Sequence, residues 1–191
     1  MKCIEFFSQN SSNNQKCKLL HNFPQDKLLA WELETASEYS PKTVSNEEVL
    51  CRQILSPVHY DRETNTFTTA AFADASSIGM SVNRLGYTSK EHIARMANDR
   101  VGQHNQSNPD KQRSFFGTIH FVCDDIRQIT VQTEEDVNPV RGFAVYDTAL
   151  EQDRSHADIC EIVKKKSHTR SVRLSIRDLA NNFLAGCSNQ Q

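Results

Sequence analysis

Four stretches of the sequence carry side chains that could do chemistry, and the first is residues 155–160. On a strand, His156, Asp158 and Cys160 would point to one face. On a helix, His156 and Cys160 would still share a face. Either geometry could supply two zinc ligands, or a thiolate beside an imidazole. A zinc site needs three or four converging ligands and the sequence shows no companions, so we expect no bound metal and a structural role for this pair.

The second stretch holds His120 and Cys123 at the end of residues 114–123, an apolar run that is the longest strand candidate. Side chains three positions apart on a strand point to opposite faces of the sheet. We therefore expect both residues to be structural, and we assign no metal site to them.

The third stretch combines Cys51 and Arg52 with residues 59–62, which bring together an imidazole, a phenol, a carboxylate and a guanidinium. A loop with these groups can grip a phosphate or a carboxylate. The alternative is a turn in which Asp61 hydrogen-bonds its own backbone and the remaining side chains are solvated.

The fourth stretch is basic, and no acidic residue occurs between positions 162 and 176. Its candidate binding residues are Lys164, Lys165, Lys166, Arg170 and Arg173, and Arg177 extends the run. The run could contact phosphates, the acidic segment 124–153 or an acidic face of a partner. No aromatic residue interleaves it, so base stacking is unsupported and any nucleic-acid binding would be weak. The alternative is a solvated loop.

The composition excludes several classes of protein. The 191 residues carry a formal net charge of −2, so no global field favours nucleic acid or a membrane surface. No stretch approaches the roughly 18 apolar residues of a membrane span, and the N-terminus lacks the apolar centre of a signal peptide. The six cysteines include no C-x-x-C pair, which indicates reduced thiols in a cytoplasmic protein. Glycine-rich nucleotide motifs are missing too, and we expect no cofactor.

The hydrophobic pattern predicts mostly strands. They are predicted at residues 49–56, 66–72, 79–85, 114–123 and 142–146, with a helical turn and a short strand between the last two. Residues 155–166 fit either a helix or a buried strand. Clustered strands favour an α+β fold, which we expect as a single compact domain, residues 46–191, with a mainly antiparallel sheet and two or three helices.

Capping-box spacing locates the two longer helices. Thr88 and Glu91 predict a helix at residues 89–103. Ser175 and Asp178 predict the start of a terminal helix that Gly186 stops. We expect its stripe of Ile176, Leu179, Ala180 and Phe183 to pack on the sheet.

Residues 1–45 are predicted to form an N-terminal extension with one short helix, residues 27–34, capped by Asp26. Polar tracts isolate its apolar residues, among them Trp31. A helix this short is marginal in water and must dock in a groove. Trp31 is the natural anchor, either on a partner protein or on the chain's own domain. We favour its own domain, because a modest core gains from added apolar cover.

Several motifs, taken in order, resemble a group of short, uncharacterised bacterial proteins. They are Arg52-Gln53-Ile54 with Tyr60, Thr69-Ala70-Ala71-Phe72, Met80-Ser81-Val82-Asn83-Arg84, Gly117-Thr118-Ile119-His120-Phe121 before Asp125-Ile126-Arg127, and Ser155-His156-Ala157-Asp158-Ile159. The resemblance covers residues 49–160 and implies a bacterial, cytoplasmic protein with one compact domain. The character of the group suggests a defence gene cluster as its setting, and it implies no activity.

The order of these features, a strand with an arginine, then a phenylalanine and then a strand with a Ser-Val pair, is also similar to that in ADP-ribosyltransferase-like folds. The glutamate that such enzymes use has no counterpart in this sequence. We therefore expect a non-enzymatic accessory protein that binds a protein partner within a larger assembly, with no catalytic residue assigned. The alternative is an enzyme that acts on a nucleotide-like substrate through Arg52, His59 and His156.

Overall fold

The strands form one main sheet and two small ones. The computed structural model describes residues 1–132 and 138–188. Its strands are β1 (Val49–Ser56), β2 (Tyr60–Asp61), β3 (Thr66–Phe67), β4 (Met80–Arg84), β5 (Ser114–Val122), β6 (Thr130–Val131), β7 (Val140–Arg141), β8 (Phe143–Tyr146) and β9 (His156–Glu161). Five of them form an antiparallel sheet in the order β5-β1-β4-β9-β8, and β2-β3 and β6-β7 form two-stranded sheets. This confirms the predicted α+β fold with a mainly antiparallel sheet.

The described part of residues 46–191 holds three α-helices and a 3₁₀ helix, in agreement with the two or three helices predicted for this domain, and residues 1–45 hold three more. The helices are α1 (Cys3–Gln9), α2 (Lys16–Leu20), α3 (Gln25–Trp31), α4 (Lys90–Ser107), α5 (Cys123–Arg127), α6 (Lys166–Ser188) and a 3₁₀ helix (Thr69–Ser76). Four of the α-helices have seven residues or fewer, and helices this short depend on tertiary packing more than on their own propensity. Their patterns are therefore weak in the sequence.

The first hydrophobic core lies between one face of the main sheet and the layer formed by α6 and the 3₁₀ helix. Leu50, Val82 and Ile159 project into it from the sheet, and Phe72 and Ile176 meet them from the helices. Alternate residues of a strand point to opposite faces, so the intervening side chains of these strands project from the far face of the sheet.

The second core lies on that far face and is built largely from the N-terminal extension. Phe6, Leu20 and Trp31 pack there against Tyr146 of β8 and Cys160 of β9. At the other end of the same face, α4 packs on β5 and β1. Between these two covers, the central strands β4 and β9 present polar side chains.

Buried ion pairs connect the N-terminal extension to α5 and β7, and the following link to the main sheet. The carboxylate of Glu32, only 4% exposed, pairs with Arg127 at 3.2 Å and with Arg141 at 2.7 Å. The fully buried Arg84 pairs with Glu48 at 2.6 Å and with Asp147 at 3.1 Å. Breaking either set would leave an uncompensated buried charge, which costs several kcal/mol, roughly 3–5.

The longer strand predictions are confirmed to within about two residues. Residues 49–56 coincide with β1, and the predictions at 79–85, 114–123 and 142–146 correspond to β4, β5 and β8. The helical turn and short strand predicted after residue 123 are α5 and β6. The ambiguous segment that begins at residue 155 is strand β9.

Four local predictions are wrong. The helix predicted at 89–103 with Thr88 as its cap is α4, which is capped by Ser89 and continues to Ser107. Residues 69–72 open a 3₁₀ helix instead of continuing a strand, because this alanine-rich run has little β propensity. The terminal helix begins at Lys166, nine residues before the predicted cap Ser175, and it continues past Gly186 to Ser188. The helix predicted at 27–34 is α3, which ends at Trp31 and follows Pro24, with no side-chain cap from Asp26.

The N-terminal extension contains three helices where the sequence predicts one. The missed helix α1 carries Phe6 and Phe7, both buried in the second core. The boundary placed between residues 45 and 46 stays a prediction. The side chain of Phe183 lies outside the described residues, whereas Ile176 and Ala180 of the same predicted stripe are fully buried.

Candidate functional site

A cavity of about 850 Å³ with a mixed polar and apolar lining opens on the far face of the sheet, where the N-terminal extension meets the central strands. We call it the polar cavity, after the polar side chains that the central strands contribute. Ser81 of β4 and His156 and Asp158 of β9 form part of its lining. Ser81 and Asp158 are direct neighbours in the antiparallel register of β4 and β9. Residues 11–14, 36–39 and 148–152 surround these strands as loops. Of the two geometries left open for residues 155–160, the structure therefore shows the strand, with His156 and Asp158 on one face.

The His156 imidazole is held from both sides. Its Nδ1 lies 3.0 Å from the carbonyl oxygen of Thr148, and a carbonyl can only accept a hydrogen bond. The Thr148 Oγ1 lies 3.1 Å from the same nitrogen and can either accept or donate, so it is the carbonyl that favours a proton on Nδ1 of the neutral ring, which leaves Nε2 with a free lone pair. Nε2 lies 3.1 Å from the Oγ of Ser81, whose hydroxyl can donate to it. Ser81 and His156 thus form a hydroxyl–imidazole pair inside the cavity.

A buried ion pair stands next to this hydroxyl–imidazole pair. The Nζ of Lys16 lies 2.6 Å from Asp158 Oδ2, and the side chains of Lys16 and Asp158 are 12% and 1% exposed. Burial lowers the pKa of Lys16, but the attraction and hydrogen bond of Asp158 outweigh it, so this pKa lies above its ordinary value. The second carboxylate oxygen of Asp158 lies 3.8 Å from His156 Nε2.

Gly79 makes room for the Asp158 carboxylate. Its φ of +88° is a left-handed conformation that favours glycine, and a Cβ here would lie 2.9 Å from Asp158 Cγ. Any larger residue would therefore collide with the carboxylate or strain the turn that leads into β4.

Arg52 and His59 lie away from the cavity. Arg52 points to the first core, where its guanidinium donates to Ala71 O at 3.3 Å and to Asp74 Oδ2 at 3.1 Å. Its neighbours in sequence, Cys51 and Gln53, take the face that His156 shares, because Cys51 pairs with Asn83 and Asn83 with His156. Arg52 and His156 therefore project from opposite faces of the sheet.

The third stretch forms a structural turn in large part. His59 Nδ1 accepts a hydrogen bond from the backbone N–H of Leu55 at 3.2 Å, which requires an unprotonated nitrogen. Burial and the nearby Arg52 lower the pKa of His59 from 6.5 to about 4. Asp61 accepts from the backbone of Glu63 at 2.9 Å, as the turn alternative predicts. The other part of that alternative is wrong, because Cys51, Arg52 and Tyr60 are buried and not solvated.

The basic run forms a charged helix face. Lys166, Arg170, Arg173 and Arg177, which follow one another at four, three and four residues, line one cleft of about 450 Å³. We call these four residues the basic face of α6. Thr69, Thr169 and Leu174 complete the cleft. The predicted solvated loop is thus replaced by a regular array of cations on one side of a helix.

The members of the basic face differ in how tightly they are held. Arg173 donates to Ser76 Oγ at 2.6 Å and pairs at 3.4 Å with the buried carboxylate of Glu161. Lys166 and Arg170 are exposed, as are Lys164 and Lys165 just before the cleft. The alternative in which the run meets the acidic segment 124–153 falls partly on residues 133–137, outside the described residues.

Trp31 is buried in the chain's own second core, at 2% exposure. Its ring lies 5.5 Å from that of Phe6 and 4.9 Å from that of Phe23, measured between centroids. Of the two groove alternatives, the structure therefore shows docking on the chain's own domain. A role for Trp31 in binding a partner stays a prediction, and its indole would have to leave this core first.

The predicted structural residues occupy protected positions. Cys160 faces the second core beside Cys17, whereas Cys123 begins α5 and is fully buried, which raises the pKa of its thiol to about 12. Within residues 1–132 and 138–188, no three histidine, cysteine or acidic side chains are placed to share a metal ion. The absence of bound zinc stays a prediction for elemental analysis.

Ser81 and Lys16 belong to the site, although no pattern in the sequence predicts either of them. Ser81 occupies a polar position of a strand in which apolar and polar residues alternate. This alternation predicts that the serine side chain is exposed, but it does not predict which side chain lies beside it. Lys16 is 142 residues from its partner Asp158, and no local pattern reports such a contact.

No protein-family model, curated protein or solved structure matches this chain. This agrees with the expectation that no characterised family is matched. Among the described helices, none combines the length and apolar character needed to cross a membrane.

Proposed function

We propose that this chain is an accessory protein that binds an acidic segment of a protein partner through the basic face of α6. The observation that carries the proposal is the repetition of four cations along one side of a helix, lining one cleft. Arginine presents several donors in a planar fork that suits carboxylates, and three of the four cations are arginines.

The composition of the cleft favours a protein partner over nucleic acid. Leu174 lies in it, which offers an apolar contact beside the charges, and none of the described residues that line it is aromatic, so base stacking is unsupported. The chain as a whole has a net charge of −2, so attraction to a polyanion would be confined to this one face.

The setting that the motif resemblance suggests is an assembly inside a bacterial cell, with a defence gene cluster as the genetic context. The described geometry does not favour the enzymatic alternative through Arg52, His59 and His156. Arg52 projects from the opposite face of the sheet from His156, so one substrate could not contact both side chains.

The proposal predicts that reversing charge on the basic face weakens binding to an acidic peptide. In Lys166→Glu/Arg170→Glu, two exposed attractions become repulsions, while the structural contacts of Arg173 are left intact. We expect the dissociation constant of a fluorescent glutamate- and leucine-rich peptide, measured by fluorescence anisotropy, to rise at least about tenfold. Wild-type binding should also weaken as salt is added.

The matched control reverses two exposed arginines on α4, in Arg95→Glu/Arg100→Glu. It produces the same change in net charge on a different helix and should leave the peptide affinity near wild type. Equal losses in both double variants would contradict a specific basic face. Tighter binding of duplex or single-stranded DNA than of the peptide would replace the protein partner with nucleic acid.

A further inference from the structure

We infer that the polar cavity is a nucleophilic centre, in which Ser81 attacks the carbonyl carbon of a small carboxylic ester and His156 acts as the base. This goes beyond the proposed function, which concerns a different face of the sheet. The inference rests on three joined observations: a hydroxyl within hydrogen-bond distance of an imidazole, a backbone carbonyl that favours the tautomer able to act as a base, and a cavity that exposes both side chains.

The first observation is the contact between the nucleophile and the base. Ser81 Oγ lies 3.1 Å from His156 Nε2, inside the range that general-base catalysis needs. Both side chains are partly exposed and both line the cavity, so a substrate can reach them. A serine hydroxyl is a weak nucleophile until a base removes its proton, and this neighbour can supply that base.

The second observation is the group that orients the base. The Thr148 carbonyl orients the ring and favours the Nδ1–H tautomer of His156, the role that a carboxylate has in a Ser-His-Asp triad. Asp158 instead lies on the Nε2 side, 3.8 Å away, where it can stabilise the imidazolium once Nε2 is protonated.

The third observation concerns the charge on the substrate. Among the described residues of the cavity lining, Lys16 is the single lysine or arginine, and Asp158 neutralises it. Glu38 and Glu151 add negative charge at the rim, where they raise the pKa of Tyr39. An anionic phosphate would be repelled, whereas an uncharged ester would not.

The reaction balances with water as the second reactant. The Ser81 oxygen bonds to the carbonyl carbon, and the hydroxyl proton passes to His156 Nε2. The carbon–oxygen bond to the alcohol breaks, and the imidazolium returns the proton to the leaving alkoxide. Water then attacks the acyl-serine and gives its proton to His156. The carboxylic acid leaves and Ser81 regains its proton.

A fluorophosphonate probe tests this centre on the full-length protein. The probe forms an oxygen–phosphorus bond with an activated serine and loses fluoride. We expect one adduct per chain, mapped to Ser81 by peptide mass spectrometry of the wild type. His156→Gln should slow labelling by about 100-fold or more, as loss of a general base does.

Two controls make the outcome decisive. Ser12→Ala removes an exposed hydroxyl of the same cavity lining and should label as the wild type does. Lys166→Glu/Arg170→Glu should also label normally, so failure of the proposed function would leave this result standing. No adduct on wild-type Ser81, or equal labelling of a folded His156→Gln variant with an unchanged melting temperature, would overturn the inference.

Discussion

At the scale of single residues, His59 couples the fold to pH. Its Nδ1 accepts the backbone N–H of Leu55, and Arg52 lies close enough to oppose a second positive charge. The pKa of the folded-state imidazole is lowered from 6.5 to about 4. Between these values the unfolded chain binds more protons than the folded one, so stability is lost as the pH falls through this window.

Replacing His59 should therefore flatten the pH dependence of stability. We expect the difference in unfolding free energy between pH 7 and pH 4.5 to be smaller in His59→Gln than in the wild type by about 1–3 kcal/mol. Urea unfolding at the two pH values, followed by circular dichroism, measures it. The carboxylates titrate in both proteins and cancel in the comparison. An identical pH dependence in the two proteins would contradict a neutral His59 in the folded state.

The polar site was predictable from sequence only in part. Strand alternation places His156 and Asp158 on one face, and β9 confirms that geometry. The contribution of Ser81 depends on the register of β4 against β9. This register is a property of the strand pair, so the sequence of either strand alone does not predict it. Lys16 depends on the docking of the N-terminal extension, so its contact with Asp158 follows only from the assembled fold.

At the scale of elements, the spacing of the buried residues of α6 explains why the basic run forms a helix. His168, Val172, Ile176 and Ala180 recur every four residues and are all buried. Lysine, arginine and leucine lose little side-chain freedom in a helix, so the basic residues between them do not oppose it. The capping-box pattern predicts that the helix starts at Ser175, because this pattern reflects only local hydrogen bonding. Packing on the first core extends the helix in the N-terminal direction to Lys166.

The N-terminal extension gives the clearest test of packing between elements. Trp31→Ala would remove the indole from the second core and should cost on the order of 3 kcal/mol of unfolding free energy. The matched control is Leu33→Ala, two residues away and 82% exposed, which should change stability by less than about 0.5 kcal/mol. Denaturant titrations of both variants provide the comparison. Equal and negligible effects would show that Trp31 is not packed on its own domain.

At the scale of the whole molecule, the sheet separates two surfaces of different character. The polar cavity opens beside β4 and β9 on the face that the N-terminal extension partly covers. The basic face of α6 lies on the other side, with the first core between them. A partner bound at α6 would therefore leave the cavity accessible, and the two sites can be tested independently.

The fold class could be predicted from the order and clustering of the strands in the sequence. The three short helices of the N-terminal extension, which cover one face of the sheet, could not. Helices α1, α2 and α3 are each seven residues or fewer, and they are held by burial of Phe6, Leu20 and Trp31 and by the ion pairs of Glu32. These contacts join residues far apart in the chain. They are tertiary interactions, and local patterns of hydrophobicity contain little information about them.

The most direct test of the proposed partner-binding face is to map where the acidic peptide binds. Amide chemical shifts of the isotope-labelled protein, recorded during a titration with the glutamate- and leucine-rich peptide, report the contact surface residue by residue. We expect the shifts to concentrate on Thr69 and on residues 166–177, which contribute the cleft, with residues 95–100 of α4 unchanged. Shifts concentrated on α4, or dispersed over the surface without a cluster at α6, would contradict the proposed partner-binding face.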